Sequence, residues 1–281
     1  MDRIISAKND VIFKKLFTDN KEVLQSFISS AIGIPYDDIS DIYVKNPELA
    51  PNITDGKLSR LDILLTAGGN NINIEMQNAK TTDYKERVLF YWAKMYSEPL
   101  KTGQRYSSLD RSISINILDY RMFECEEYCS SFSVMENTRH ELYSDKLGLY
   151  FFELPKISSK PDSGDMRQLW LQVINADSRE ELDMLNNTNI PVIQQGIKSI
   201  YTLNEDDRIR ALAWEREKAE RDYYSDMGNA REEGISEGMA RGMAQGMAQG
   251  MAKGRAEERY ALISKLRAKG MSEAEIAALL G

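Results

Sequence analysis

Histidine is nearly absent from this chain: one residue, His140, serves all 281 positions. Chemistry that needs several imidazoles, such as histidine-rich metal clusters, is therefore excluded, and carboxylates must carry any catalysis. His140 sits in the polar run ENTRHELYSD with no nucleophile motif beside it, and reads as a surface residue. Cysteine is almost as scarce. Cys125 and Cys129 have no second pair to complete a zinc cage and imply two reduced thiols, not a disulfide framework. Long apolar runs are missing too: nothing approaches the roughly 18 consecutive apolar residues of a membrane span, and the opening MDRIISAKND carries no apolar signal region. The expectation is a cytoplasmic protein without a membrane partner.

An excess of positive charge is also lacking. The formal net charge is -8 and the pI about 5.0, which argues against nonspecific binding to a phosphate backbone by the whole surface. Residues 80 to 121 depart from this balance, with Lys80, Lys85, Arg87, Lys94, Lys101, Arg105, Arg111 and Arg121 against five acids. Such a stripe suits nucleic acid, and equally suits a solvated mixed-charge helix face.

What is present reads as an α/β core. A helix is expected from Asn9 to Ile32, where Ile12, Leu16, Phe17, Val23, Leu24, Phe27 and Ile28 make one apolar face that Gly33 ends. A short strand over Asp37 to Val44 and a loop around Pro47 and Pro51 follow. Leu61 to Thr66 and Ile72 to Gln77 then read as a hairpin about a turn at Gly68 to Asn71. Centring the turn between Gly69 and Asn70 sets Asp62 opposite Gln77 and Leu64 opposite Glu75. Strand alternation puts Asp62, Glu75 and Gln77 on one face and Ile63, Leu65, Ile74 and Met76 on the other, toward the core. Converging carboxylates repel unless a divalent cation with oxygen ligands, most naturally Mg²⁺, lies between them; an ordinary half-exposed hairpin is the alternative. Beyond it come a helix from Tyr84 to Pro99, burying Val88, Tyr91, Trp92 and Met95, and strands around Ile113 to Ile117, Ser131 to Glu136 and Gly148 to Glu153.

The pair SRLDILL and NINIEMQ resembles the D-(x)n-E-x-Q signature of the Rpn family of recombination-promoting nucleases and transposases, of the PD-(D/E)XK type. The family's opening NDxxFKxLF is matched by Asn9, Asp10, Phe13, Lys14, Leu16 and Phe17. Its R-xxx-Y is matched by Arg87 and Tyr91, and its G-xx-Y by Gly103 and Tyr106 before SISINILDY. The resemblance covers roughly residues 6 to 157. It implies a restriction-endonuclease-like mixed sheet flanked by helices, with Asp62 and Glu75 as Mg²⁺ ligands and DNA as substrate. It sets Gln77 where many superfamily nucleases carry lysine, so that neutral hydrogen bonds replace a positive charge; Lys80 and Lys57 are close enough in sequence to supply a migrated positive charge. Asp10 is a third candidate for the metal, or a helix-capping or first-turn acid. Lys85, Arg87 and Lys94 are candidates for guiding DNA. A catalytically weak DNA-binding or protein-interaction module on the same fold is the competing reading.

Four regions are expected: a nuclease-like domain over 1–157, a helical accessory region over 158–228, a Gly/Met-rich repeat over 229–255 and a helical hairpin over 256–281. The repeat sets glycines at 234, 238, 242, 246, 250 and 254 and methionines at 239, 243, 247 and 251. A spacing of four is helical, but each helical glycine costs about 1 kcal/mol relative to alanine, so the segment is either a flexible spacer or a helix held by a close neighbour. The last segment, with Ser272 and Glu275 placed for a capping box, suits docking or a homodimer through the C-terminal helices.

Overall fold

The computed structural model describes residues 4–45, 48–49, 59–60, 62–100 and 103–280, the pairs 48–49 and 59–60 by backbone alone. Helix α1 (Asp10–Thr18) starts on Asn9, whose side chain accepts hydrogen bonds from the Val11 and Ile12 N–H groups. The single helix expected over 9–32 is two: α2 (Lys21–Ile32) begins again after Asn20, whose backbone is extended. The polar run Thr18-Asp19-Asn20 explains the break, because short polar side chains offer the backbone other partners, and the Asn20 amide bonds the Leu16 carbonyl. Gly33 ends α2 in the left-handed conformation.

A 3-10 turn over Tyr36–Asp38 takes the first part of the expected strand, leaving β1 (Tyr43–Lys45). Then follow β2 (Glu48–Leu49), β3 (Ser59–Arg60), β4 (Ile63–Ala67), β5 (Asn70–Gln77), α3 (Tyr84–Ser97), β6 (Arg111–Leu118), β7 (Cys129–Met135) and β8 (Leu142–Glu153). Pro47, Pro51 and Leu61 lie outside the described residues. Among the described residues, six strands form one mixed sheet in the order β1-β4-β5-β6-β8-β7, with β5, β6 and β8 mutually parallel. The chain crosses from β5 to β6 through α3, so that helix lies on one face of the sheet.

The two faces differ. One carries Ile63, Leu65, Ile72, Ile74, Ile113, Ile115 and Ile117, sealed by α1, α2 and the later helices α4 (Met166–Asn175), α5 (Arg179–Asn186) and α6 (Pro191–Glu205). Trp170 lies at the centre, fully buried and bonded through its indole N–H to Ser26. Gly196 is required beside it, because a Cβ there would lie 2.8 Å from the Trp170 ring. The other face, under α3, is a polar ladder: Asn71, Asn73 and Glu75 stand level with Ser112, Ser114 and Asn116.

The chain divides into compact units at Met1–Glu217 and Lys218–Gly281. The helices expected as a separate accessory region from 158 therefore share the core of the sheet. Helix α7 (Asp207–Ala268) carries the Gly/Met repeat, which is helical throughout, and gives its first residues to unit 1. In unit 2, Met239, Met243, Met247 and Met251 are exposed, and no neighbouring atom lies within 4 Å of where the repeat's glycine Cβ atoms would be. Gly270 ends this run at positive φ, and α8 (Glu273–Leu280) opens with the expected exchange between Ser272 and Glu275. No helix among the described residues is long and apolar enough to cross a membrane. His140 is exposed, and both cysteines are free thiols.

Candidate active site

The hairpin turn is one residue earlier than expected. Gly68 and Gly69 both have positive φ, 52° and 72°, a pair of conformations that suits glycine and makes a tight two-residue turn. Gly68 has no room for a side chain in any case, since a Cβ would meet the Asp38 carbonyl oxygen at 2.4 Å. Leu64 consequently pairs with Asn73, not Glu75, and the pairing of Ile63 with Ile74 brings Asp62 level with Glu75 rather than with Gln77. A shift of two residues preserves the faces. Asp62, Glu75 and Gln77 still share the α3 side, and the isoleucines still face the core.

Asp62 and Glu75 meet at the carboxyl end of β5. Asp62 Oδ2 accepts the Met76 N–H at 3.0 Å, and the Asp62 N–H reaches Glu75 Oε1 at 3.4 Å. Asn73 donates its amide to the same Glu75 oxygen at 3.2 Å. Loss of water pushes the Glu75 carboxyl up to about 8, and the charge of Asp62 adds to the rise. Burial likewise raises Asp62, against the lowering pull of Lys14 and the Met76 N–H. Glu75 also lines a pocket with Asn73, Ser114 and Asn116 from the sheet and Tyr84, Arg87 and Tyr91 from α3. Polar groups stand among its lining: Tyr84 donates to Asn116 at 3.1 Å, and the side-chain amide oxygen of Asn73 is buried without a hydrogen-bond partner among the described residues.

The other expected residues are distributed unequally. Gln77 accepts from Arg87 at 2.6 Å and donates to the Ala79 carbonyl at 2.7 Å, so Arg87 reaches the site while the glutamine amide is engaged at both ends. Asp10 is a first-turn acid on α1, the cap being Asn9, and its carboxylate contacts Lys14 and Arg216. Among the described residues, no three histidine, cysteine or carboxylate side chains converge as a metal cage. Lys85 is drawn away, its ammonium 5.8 Å from the Phe123 ring centroid on the β8 side. Lys94 is buried in the last turn of α3, about two turns beyond Arg87. Lys80 is exposed, and Lys57 lies outside the described residues.

Two residues at the site escaped sequence reasoning. Lys14 stands 3.3 Å from Asp62 and was visible only as part of a motif, although its i,i+4 spacing from Asp10 marks an ion pair on one helix face. Arg216 arrives from α7 and binds Asp10 at 3.0 Å; nothing local in its sequence announces that contact.

A family model described as PD-(D/E)XK nuclease family transposase matches residues 7–230. The chain belongs to this family. The mixed sheet flanked by helices is consistent with its restriction-endonuclease-like fold, and the family supports a nuclease-like function. The match extends past the 6–157 span of the resemblance and takes in α4, α5, α6 and the start of α7. Neither the search of curated proteins nor that of solved structures returned a match.

Proposed function

We propose that this chain is a Mg²⁺-dependent DNA endonuclease that hydrolyses phosphodiester bonds, with Asp62 and Glu75 as its metal ligands, in association with recombination or transposon-like mobility. The observation that carries this reading is the juxtaposition of the two carboxylates at one level of the hairpin, both pushed up by burial, with Glu75 at the wall of a pocket that Asn73, Arg87 and Asn116 also line. A protein gains nothing in stability from crowding two acids, and hard oxygen donors without histidine or thiolate suit a hard divalent ion. When bound, such an ion supplies charge neutralisation and acidifies a water.

The chain's own groups do the rest. The Met76 N–H fixes the Asp62 carboxylate, the Asn73 amide fixes Glu75, and Arg87, oriented by Gln77, brings a guanidinium to the pocket for a phosphate. Lys85 and Lys94 are then secondary contacts along the DNA at most. Asp10 acts on the metal site through Lys14. Cleavage of supercoiled plasmid by wild type and by Asp62→Ala/Glu75→Ala, with Mg²⁺ or chelator, tests the reading. Strand breaks that need both metal and the carboxylates are expected, with a loss of about a thousandfold or more in the double variant; equal activity in both proteins would overturn it.

One observation favours a second reading, a DNA-binding module with weak chemistry. Gln77 puts a neutral amide, already bonded to Arg87 and Ala79, where a cationic donor would serve the third motif position. Mg²⁺-independent DNA binding without strand breaks would support it. For the C-terminal unit we propose self-association through α7, supported by its row of exposed methionines beside glycines that leave room for close approach. A concentration-independent monomer mass in analytical ultracentrifugation would reject it.

A further inference from the structure

Asp62 has one oxygen committed to the fold, because Oδ2 holds the Met76 N–H. The other, Oδ1, is the oxygen available to a cation, and the Lys14 ammonium stands 3.3 Å from it. The same ammonium contacts Asp10 Oδ1 at 2.5 Å, while Arg216 takes Asp10 Oδ2 at 3.0 Å. Asp10 thus has two cationic partners and keeps one of them if Lys14 shifts. Asp62 has Lys14 alone among the cations that contact it in the described residues. The Lys14 and Asp62 side chains are about one quarter exposed, 24% and 22%, so water and ions reach the pair. A lysine on a helix surface gains little from a carboxylate on a separate hairpin unless that carboxylate needs a counter-charge.

We propose that Lys14 is the site's built-in counter-cation: it neutralises Asp62 while no divalent ion is bound, and yields that carboxylate when one enters, staying tethered to Asp10. The inference rests on the metal-site reading above. An ammonium carries three donors, so after release from Asp62 the tethered Lys14 presents free N–H groups beside the ion, where a scissile phosphate gathers charge. The Gln77 amide, with its oxygen on Arg87 and one of its two N–H groups on Ala79, has no positive charge to offer there. Lys14 competes with the metal before binding and assists it afterwards. A residue that only pinned Asp62 in place would do neither.

The two roles separate in a titration of the full-length protein with MnCl2 alone, followed by calorimetry, on wild type, Lys14→Met and Lys14→Arg. Losing the competing charge makes Lys14→Met bind Mn²⁺ about tenfold more tightly, while its plasmid cleavage falls about a hundredfold. Lys14→Arg keeps the charge and the wild-type Mn²⁺ affinity. Unchanged or weaker Mn²⁺ binding by Lys14→Met, in protein whose thermal unfolding remains cooperative, overturns the proposal and leaves the metal site standing. Lys14→Gln, which keeps a hydrogen-bond donor, serves the same comparison if the methionine variant misfolds. A wild type that binds no Mn²⁺ overturns the metal site and the Lys14 assignment together.

Discussion

Glu75 and Glu153 lie near the ends of two strands running in the same direction, on the same face of the sheet, yet the chain treats them oppositely. Glu153 is completely buried and completely provided for: it accepts the Met122 and Phe123 N–H groups and, at 2.6 Å, the ammonium of Lys156, whose side chain is 1% exposed. Lys156 in turn donates to the Phe123 carbonyl, so the pair staples the loop after β6 to the end of β8. Glu75 receives one side-chain amide and one long backbone contact, and faces a second carboxylate across the hairpin. An acid whose partners all come from the chain is part of the architecture; an acid left short of positive charge at a pocket wall is waiting for something from outside.

Removing a partner at each position would sharpen this contrast. Lys156→Met leaves Glu153 as an uncompensated buried charge and should cost about 3 to 5 kcal/mol in denaturant unfolding, with much of the loss recovered by adding Glu153→Gln. The opposite sign is expected at the other acid. Glu75→Gln should stabilise the metal-free protein at pH 9 by about 1 to 3 kcal/mol, because it removes a charge the fold does not pair; a destabilised variant would mean that Glu75 is as well provided for as Glu153.

The pH dependence carries the same sign. Glu75 keeps its proton up to about 8 in the folded protein but loses it near 4.5 when unfolded, so folding binds a proton between those values. Its contribution is full below about 4.5 and is lost as the pH rises through about 8, with Asp62 adding in the same direction. The metal-free unfolding midpoint should therefore fall between pH 5.5 and 8.5, and Glu75→Gln should flatten that fall. Excess Mg²⁺, which favours the ionised carboxylates, should restore stability at the high end. The smallest effect belongs to the pocket wall: Tyr84→Phe deletes the hydroxyl bonded to Asn116 and should cost about 1 kcal/mol in the same unfolding measurement.

Much of this was legible in the residues, for physical reasons that also mark the limits. Alternation along NINIEMQ assigns faces whatever the turn, so the grouping of Asp62, Glu75 and Gln77 survived a wrong register. The register itself depended on which residues of Gly-Gly-Asn-Asn make the turn, and only the positive φ of both glycines decides that. Periodicity found the buried faces of α1 and α2 but ran across Asn20, because apolar spacing does not record a short polar break. Lys85 looked better placed than Arg87 on a helix drawn from sequence. In three dimensions one is held over Phe123, in the loop after β6, and the other by Gln77, at the end of β5. The helicity of the glycine repeat was open, since the cost of each glycine argues one way and the period of four the other.

The anchoring of α1 has a consequence for the order in which the molecule is made. The segment that delivers Asp10 and Lys14 precedes the hairpin in the chain, but its ties come from residues far beyond the hairpin. The Ile5 N–H bonds the Asn204 side chain, Ser6 bonds the Ala176 carbonyl, and the Asn9 amide bonds the Ala213 carbonyl. A nascent chain can therefore pair the hairpin that bears both acids well before the helix beside them has its final moorings. The proposed site therefore has its full surroundings only once the start of α7 has been made, so the pairing of the two acids and the seating of Lys14 beside them are separate events in the assembly of the fold.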